Sequence, residues 1–200
     1  MHGSLDPTHL AKTFGYIGIL SIIFLESGVV FGFFLPGDSL LFAAGLLASQ
    51  GYFNVAAITM LAIFGAILGN NVGYYTGKKA GPTLFNRPDS KFFSKKRVAE
   101  AHEFFERRGG ESLILARFIP AVRTFVPIMA GVAKMNYHRF FIYNSLGALL
   151  WGISLPVLGY TLGKHVSNID SYILPIVGLV IIISALPVVV HYQKSRKRQS

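Results

Sequence analysis

Hydrophobic residues run along the chain in long uninterrupted stretches. Three of them, residues 55–77, 139–163 and 172–190, are long enough to cross a hydrocarbon core of about 30 Å, which takes about 20 helical residues. We interpret each stretch as a transmembrane helix. A backbone that spans lipid must satisfy its own hydrogen bonds, and a helix does so within one segment. The pattern therefore predicts an all-α integral membrane protein with a single membrane domain over residues 1–200.

Two further apolar regions, residues 14–49 and 111–135, are interrupted by charged residues and by proline or glycine. Irregular backbone at membrane depth is tolerated only where it is buried in protein or lines a cavity. Each region is therefore predicted to form a re-entrant hairpin, which enters the membrane and leaves on the same side. For the first hairpin an alternative stays open, in which residues 14–35 cross the membrane completely and the N-terminus changes side.

Basic residues gather in two polar segments, with nine Lys and Arg in residues 78–110 and four in residues 191–200. Basic clusters beside apolar spans are typical of cytoplasmic loops and of contact with anionic lipid headgroups, so both segments are predicted to be cytoplasmic. This clustering accounts for the formal net charge of +10 without a nucleic-acid partner. An even number of crossings must then separate the two segments, which favours a re-entrant second hairpin.

The basic linker, residues 78–110, also has helical periodicity. Ser94 is suited to cap a helix that carries Val98, Ala101 and Phe105 on one face. We therefore expect an amphipathic helix that lies in the membrane interface and anchors the linker.

An internal repeat relates the two halves of the chain. A shift of 86 positions aligns Ala44-Gly45 with Ala130-Gly131 and Gly73-Tyr74 with Gly159-Tyr160. Each copy is a hairpin followed by a transmembrane helix, so the two copies end on opposite sides of the membrane. We therefore predict an inverted repeat, as in many secondary transporters, whose substrate sites lie near the midplane between broken helices. Residues 172–190 add an extra C-terminal transmembrane helix.

Four charged residues lie inside the predicted hairpins, namely Glu26, Asp38, Arg117 and Arg123. A charge at the centre of a membrane helix costs about 2.5–3.5 kcal/mol on insertion scales, so these side chains are expected to face one another or a wet cavity. Such charges usually mark substrate or proton pathways. The alternative interpretation is that they form ion pairs that only hold the hairpins together.

The acidic and basic pairs suit different tasks. Arg117 and Arg123 stand six residues apart around Pro120, so a helix break there would let both guanidinium groups reach one cavity. The planar donors of arginine bind two phosphate oxygens at once and keep their charge. Glu26 and Asp38 are suited to bind and release protons, because burial favours a neutral carboxyl group. A carboxylate permanently paired with arginine would instead stay ionised.

Other residues in or near the spans have less definite roles. Asn70, Asn71, Thr124 and Asn144 are candidates for lining the cavity, although hydrogen bonding between helices explains each equally well. Trp151 is alone within a span, and core packing is its default role. The chain has no Cys, and none of its six His lies deep in an apolar stretch, so no metal site or cofactor is predicted. Without a visible nucleophile and base, the sequence does not indicate an enzyme.

These residues resemble the motifs of a known family. The matching segments are FLPGDSLLFAAG at residues 34–45, GNNVGYYTGKKAG at residues 69–81 and ARFIPAVRTFVPIMAG at residues 116–131, together with Glu26. They resemble the DedA family of bacterial inner-membrane proteins, which belongs with the SNARE-associated Golgi or VTT-domain proteins. The resemblance covers about residues 15–163.

The resemblance implies two opposed re-entrant hairpins. It also implies an essential acidic pair at Glu26 and Asp38 and an essential arginine pair at Arg117 and Arg123. Some members of the family translocate undecaprenyl phosphate or phospholipids, so the resemblance implies a lipid transporter.

We therefore expect a multi-pass protein of the bacterial cytoplasmic (inner) membrane that moves undecaprenyl phosphate. Arg117 and Arg123 would bind the phosphate, and Glu26 and Asp38 would couple protons to movement. The expected partners are this lipid, membrane phospholipid and protons, and a homo-oligomer is a further expectation. A general phospholipid scramblase and a proton-coupled exporter of small cations or drugs are two alternatives. A purely structural membrane protein is another.

Overall fold

The computed structural model describes residues 7–29, 32, 35–85, 103 and 110–165, and all regular structure in these residues is helical. Six helices follow one another, namely α1 (Pro7–Gly28), α2 (Gly37–Ser49), α3 (Val55–Phe85), α4 (Glu111–Ala116), α5 (Pro120–Val132) and α6 (Tyr137–His165). The prediction of an all-α protein is confirmed for this part of the chain.

Two of the helices contain segments long and apolar enough to cross a membrane, Val55–Gly81 of α3 and Tyr137–His165 of α6. The helices predicted over residues 55–77 and 139–163 are therefore confirmed. Only 39% and 33% of the residues in their most apolar windows are buried within the protein. Most residues in these windows are at least partly exposed, as expected of helices that contact lipid.

The predicted boundary at residue 77, between the first span and the basic linker, is not the end of a helix. Helix α3 continues past it to Phe85. Lys and Ala are good helix formers, so a change from apolar to basic residues marks the edge of the membrane and not the end of a helix. The rest of the linker, with the face at Val98, lies outside the described residues apart from Glu103 and Gly110. The predicted helix 172–190 and the tail 191–200 also lie outside them.

Each predicted hairpin contains two helices. The first region contains α1 and α2, and the second contains α4 and α5. Helix α1 has 22 residues, so it is about 33 Å long at 1.5 Å per residue. It begins at Pro7, well before the predicted start of the hairpin at residue 14. The re-entrant path of both hairpins stays a prediction.

The chain divides into two compact units. Unit 1 comprises Met1–Ile22, Phe34–Ala62 and Ile153–Ser200, and unit 2 comprises Ile23–Phe33 and Ile63–Gly152.

In unit 1, α2 packs closely on the C-terminal part of α6. A Cβ atom added to Gly45 would lie 2.1 Å from the carbonyl oxygen of Pro156, and one added to Gly159 would lie 2.1 Å from that of Phe42. Real Cβ atoms do not approach backbone so closely. The absence of a side chain at these two positions is therefore what allows the helices to touch.

In unit 2, α5 packs on α3 by the same means. A Cβ atom on Gly131 would lie 2.0 Å from the carbonyl oxygen of Tyr74, and one on Gly77 would lie 2.0 Å from that of Ile128. Gly131 is the residue that the 86-position shift aligns with Gly45. A short helix packed by glycine on a long helix of the other half thus occurs in both units, which supports the predicted repeat. Its inversion stays a prediction.

Around this contact unit 2 has an aromatic core. The rings of Tyr74 and Phe140 are stacked with centroids 4.5 Å apart, and the Tyr74 hydroxyl donates to the carbonyl oxygen of Met135 at 2.6 Å. Leu113 and Ala130 pack in the same cluster. This core joins α3, α4, α5 and α6 through the start of α4 and the end of α5, which are the ends opposite to the arginines.

Candidate functional site

The connection between α4 and α5 is a break in the helical backbone. Helix α4 ends at Ala116, α5 begins at Pro120, and Ile119 between them is extended, with φ −113° and ψ 106°. Proline disfavours a helical conformation in the residue before it and is well accommodated in the first turn of a helix. The predicted break at Pro120 is confirmed. It places Arg117 directly after one helix and Arg123 in the first turns of the next.

Arg123 forms a buried ion pair with Glu26 of α1. Its Nη2 donates to the Oε1 atom of the carboxylate, and the two residues are 7% and 2% exposed. Charges this deeply buried are tolerated when they are paired and hydrogen-bonded. The pair therefore both neutralises charge and ties α1 to α5 within unit 2.

Arg117 is held by amide side chains of α3 and α6. Its Nη1 donates to Oδ1 of Asn144 at 3.0 Å, and the Asn70 amide lies 2.7 Å from the same oxygen. With the Asn70 amide turned end for end, its oxygen accepts from Arg117 Nη1 at 2.9 Å and its nitrogen donates to the Ser27 carbonyl at 3.1 Å. In the first orientation Asn70 steadies the Asn144 oxygen that accepts from Arg117, and in the second Asn70 itself accepts from Arg117, so both asparagines help to hold this guanidinium group, which is only 4% exposed.

Trp151 of α6 contacts both arginines. The guanidinium carbon lies 5.5 Å from the centroid of its ring in Arg117 and 5.1 Å in Arg123. A cation within about 6 Å of an indole ring is attracted by its quadrupole, by about 0.5–2 kcal/mol. Core packing was the role predicted for Trp151, and the residue is indeed buried. Its contact with the two charges was missed.

The arrangement is suited to binding an anion. Two guanidinium groups from the two sides of a helix break lie against one ring, and a carboxylate occupies one of them. Guanidinium groups bind carboxylate and phosphate through the same paired donors, so an anionic ligand and Glu26 would compete for Arg123. Among the described residues, no group of three or more His, Asp and Glu is arranged to hold a metal ion.

Comparison with known proteins decides the family. Residues 35–161, more than half of the chain, match the VTT domain. The chain is also 41% identical over 202 aligned residues to Protein DedA of Escherichia coli K12, covering 98% of this chain and 92% of that protein. The chain belongs to the DedA family of VTT-domain proteins. The resemblance found in the sequence motifs is thereby confirmed.

Two other relatives of this DedA-family protein are named as membrane proteins. An uncharacterized membrane protein of Mycobacterium tuberculosis H37Rv is 39% identical over 194 residues, covering 93% of this chain and 85% of that protein. Inner membrane protein YqjA of Escherichia coli K12 is 36% identical over 149 residues, covering 74% and 68%. No solved structure matches the chain.

The VTT-domain match contains Asp38 and both arginines, whereas Glu26 lies before its first residue. The two acids belong to different helices of the first region, Glu26 to α1 and Asp38 to the first turn of α2. They also belong to different units, Glu26 to unit 2 and Asp38 to unit 1. The structure thus brings Glu26, Arg117 and Arg123 together within one unit.

The remaining candidates differ in their surroundings. Thr124 is 1% exposed and directly follows Arg123 in α5. Asn71 uses its amide elsewhere, because Nδ2 donates to the Ile67 carbonyl at 2.7 Å and Oδ1 accepts from the Tyr137 hydroxyl at 3.0 Å. Neighbouring asparagines of this VTT-domain protein therefore serve two different surfaces of α3.

One feature of the sequence relates Trp151 to the site. Asn144 and Trp151 are seven residues apart in one predicted span, which is two helical turns and places them on one face of α6. The spacing therefore places Trp151 on the face of α6 that carries Asn144, but it does not identify the arginines.

Proposed function

We propose that this DedA-family protein moves undecaprenyl phosphate across the bacterial cytoplasmic membrane as a multi-pass transporter and not as an enzyme. The observation that carries the proposal is the pair of buried arginines against Trp151. Buried cations are costly in a membrane protein, and arginine binds phosphate oxygens through two parallel charged hydrogen bonds. The name of the relative Inner membrane protein YqjA supports the location.

In the proposed cycle, Glu26 and the lipid phosphate take turns as the counter-ion of Arg123. A guanidinium group in a low-dielectric interior needs a nearby anion, and the Glu26 carboxylate is one in the present structure. When the phosphate arrives, a proton neutralises Glu26 and Arg123 turns to the phosphate. When the phosphate leaves, Glu26 loses the proton and pairs with Arg123 again.

This exchange at Glu26 couples movement of the lipid to movement of a proton. The proton binds when the phosphate binds and is released when it leaves, so both cross in the same direction. A proton gradient directed into the cell would then drive the lipid towards the cytoplasmic face. Arg117 stays fixed by Asn144 and Asn70 throughout, and only Arg123 changes partner. We assign Asp38 to the same coupling on the resemblance to the family alone.

The test is translocation of labelled undecaprenyl phosphate in liposomes that contain the purified protein. Arg117→Lys and Arg123→Lys should each slow translocation about tenfold or more, because lysine cannot reproduce a two-pronged contact worth about 1.5–3 kcal/mol. Arg139→Lys is the matched control, because Arg139 is exposed in the first turn of α6. Glu26→Gln should still bind the lipid but should no longer respond to a pH gradient.

The alternatives give different results in the same assay. Unchanged translocation in both lysine variants would contradict the phosphate site. Equal movement of zwitterionic phospholipid without a response to pH would indicate a scramblase. Cation-dependent currents that survive loss of the arginines would indicate an exporter. Size-exclusion profiles of each variant separate lost transport from lost folding, which a purely structural role would predict.

A further inference from the structure

The outer face of α3 carries a groove that is distinct from the arginine cluster. Together with Phe24 of α1, this face encloses an open space of about 460 Å³. Leu68, Val72 and Tyr75 follow one another along it at helical spacing, and each is about half exposed. Lys79 stands at its end. Helix α3 therefore presents an apolar track that finishes in a positive charge.

The length of this groove matches one leaflet of a bilayer. Leu68 and Lys79 are three helical turns apart, about 16 Å at 1.5 Å per residue, and half of a hydrocarbon core about 30 Å thick is about 15 Å. Lys79 lies near the end of the apolar segment Val55–Gly81, where headgroups are expected. A hydrocarbon chain in the groove with its headgroup at Lys79 would therefore reach the middle of the membrane.

The side chains along the groove favour a hydrocarbon chain over a polar solute. The Asn71 amide is engaged by the Ile67 carbonyl and the Tyr137 hydroxyl, so it has little left to offer a ligand. Thr76 lies one turn from Lys79, at the headgroup end. The wall between Leu68 and Tyr75 is mainly apolar and favours hydrocarbon, because a polar solute buried against it would lose hydrogen bonds to water.

We propose that this groove binds one acyl chain of an anionic phospholipid, with the lipid phosphate on Lys79. Basic residues near the end of a span attract anionic lipid by about 1 kcal/mol each. The basic residues of the linker, which begins with Lys78 and Lys79, also indicate that this end of α3 lies at the cytoplasmic leaflet. Asn70 belongs to the arginine cluster and Asn71 to the groove, so the phospholipid lies on another surface of α3. The site does not depend on which lipid the protein transports.

The experiment is native mass spectrometry of the detergent-purified protein, titrated with phosphatidylglycerol or phosphatidylcholine. Lys79→Gln should weaken the binding of phosphatidylglycerol about fivefold and leave that of phosphatidylcholine unchanged. Lys78→Gln removes the same charge from the neighbouring exposed residue, which does not line the groove, and should behave as the wild type. Val72→Trp fills the track and should weaken both lipids.

Three outcomes would overturn the proposal. Equal losses in Lys78→Gln and Lys79→Gln would mean that diffuse charge attracts the lipid. Unchanged phosphatidylglycerol binding in Lys79→Gln and Val72→Trp would remove the groove as the site. Displacement of the lipid by millimolar inorganic phosphate would mean that the acyl chain contributes nothing. Should Val72→Trp fail to fold, Leu68→Gln places a polar group in the same track at nearly constant volume and should also weaken both lipids.

Discussion

The same kind of helix packing stabilises each of the two compact units, but the polar residues that they bury differ. In each, a short helix lies on a long helix through glycines that approach the opposite backbone, Gly45 and Gly159 in unit 1 and Gly131 and Gly77 in unit 2. These contacts require only the absence of a side chain. They therefore constitute a scaffold that is independent of any chemistry.

Unit 2 adds charged and amide groups to this scaffold. The 86-position shift aligns Asn70 with Pro156 and Asn144 with Ile58, and both of these unit 1 residues are buried and apolar. The asparagines that fix Arg117 thus have no polar counterparts in unit 1. The repeated helix packing therefore does not create the site. The site depends on polar residues that unit 2 has and unit 1 lacks at the aligned positions.

The largest difference between the units should appear on removal of Glu26. Glu26→Ala leaves Arg123 buried without the carboxylate it now pairs with, and breaking a buried pair in this way costs about 3–5 kcal/mol. The free energy of unfolding in detergent should fall by that amount. Ile58→Val removes one methyl group from the apolar interior of unit 1 and should cost only about 0.5–1.5 kcal/mol.

The double variant Glu26→Ala/Arg123→Met makes the test specific. It removes both charges, and apolar replacement of a whole buried pair is often neutral or stabilising. It should therefore recover most of the stability that Glu26→Ala loses. A double variant no more stable than Glu26→Ala would show that the pair is not what distinguishes unit 2.

The glycine contacts should respond equally in the two units. Gly131→Ala forces a Cβ atom against the Tyr74 carbonyl and Gly45→Ala forces one against the Pro156 carbonyl, at 2.0 and 2.1 Å. Overpacking of this kind costs about 1–3 kcal/mol, and both variants should melt at lower temperature by similar amounts. Gly18→Ala is the control, because nothing lies within 4 Å of its added Cβ atom. A large drop in only one unit would contradict the shared scaffold.

Local sequence signals account for most of the helices. The spans follow from apolar length, and the break before α5 follows from Pro120, whose ring restricts the residue before it. The end of α3 at Phe85 could not be predicted in this way. Lysines that leave the membrane are still good helix formers, so the charge pattern carries no signal for the helix end.

For the site, the sequence predicts the charges but not their pairing. Glu26 and Arg123 are conspicuous as charges in apolar stretches, yet they are 97 positions apart, and no local pattern links them. The pairing of Glu26 with Arg123 depends on how α1 and α5 meet. The same holds for Trp151, which local spacing assigns to a helix face but not to two cations.

The smallest predicted effect concerns the caps that end the two short helices. The residue after the C-cap of α2 is Gly51, with φ 82°, and the residue after the C-cap of α5 is Lys134, with φ 55°. In both, this residue donates to the carbonyl three positions before it and the next residue donates to the carbonyl five positions before it. This is the usual glycine-type helix ending, and unit 2 builds it with a residue that has a Cβ atom.

A left-handed conformation costs a residue with a side chain about 1–2 kcal/mol, and glycine gives back about 0.5–1 kcal/mol through its greater freedom in the unfolded chain. Lys134→Gly should therefore raise the free energy of unfolding by about 0.5–1 kcal/mol, and Gly51→Lys should lower it by a similar amount. Thermal unfolding of both variants and of the double exchange checks this. Because the two helix ends lie in different units, their effects should add, and the free energy of unfolding of the double exchange should be close to that of the wild type. A different result is that Gly51→Lys lowers the stability but Lys134→Gly leaves it unchanged. The Lys134 side chain would then make a compensating contact that unit 1 lacks.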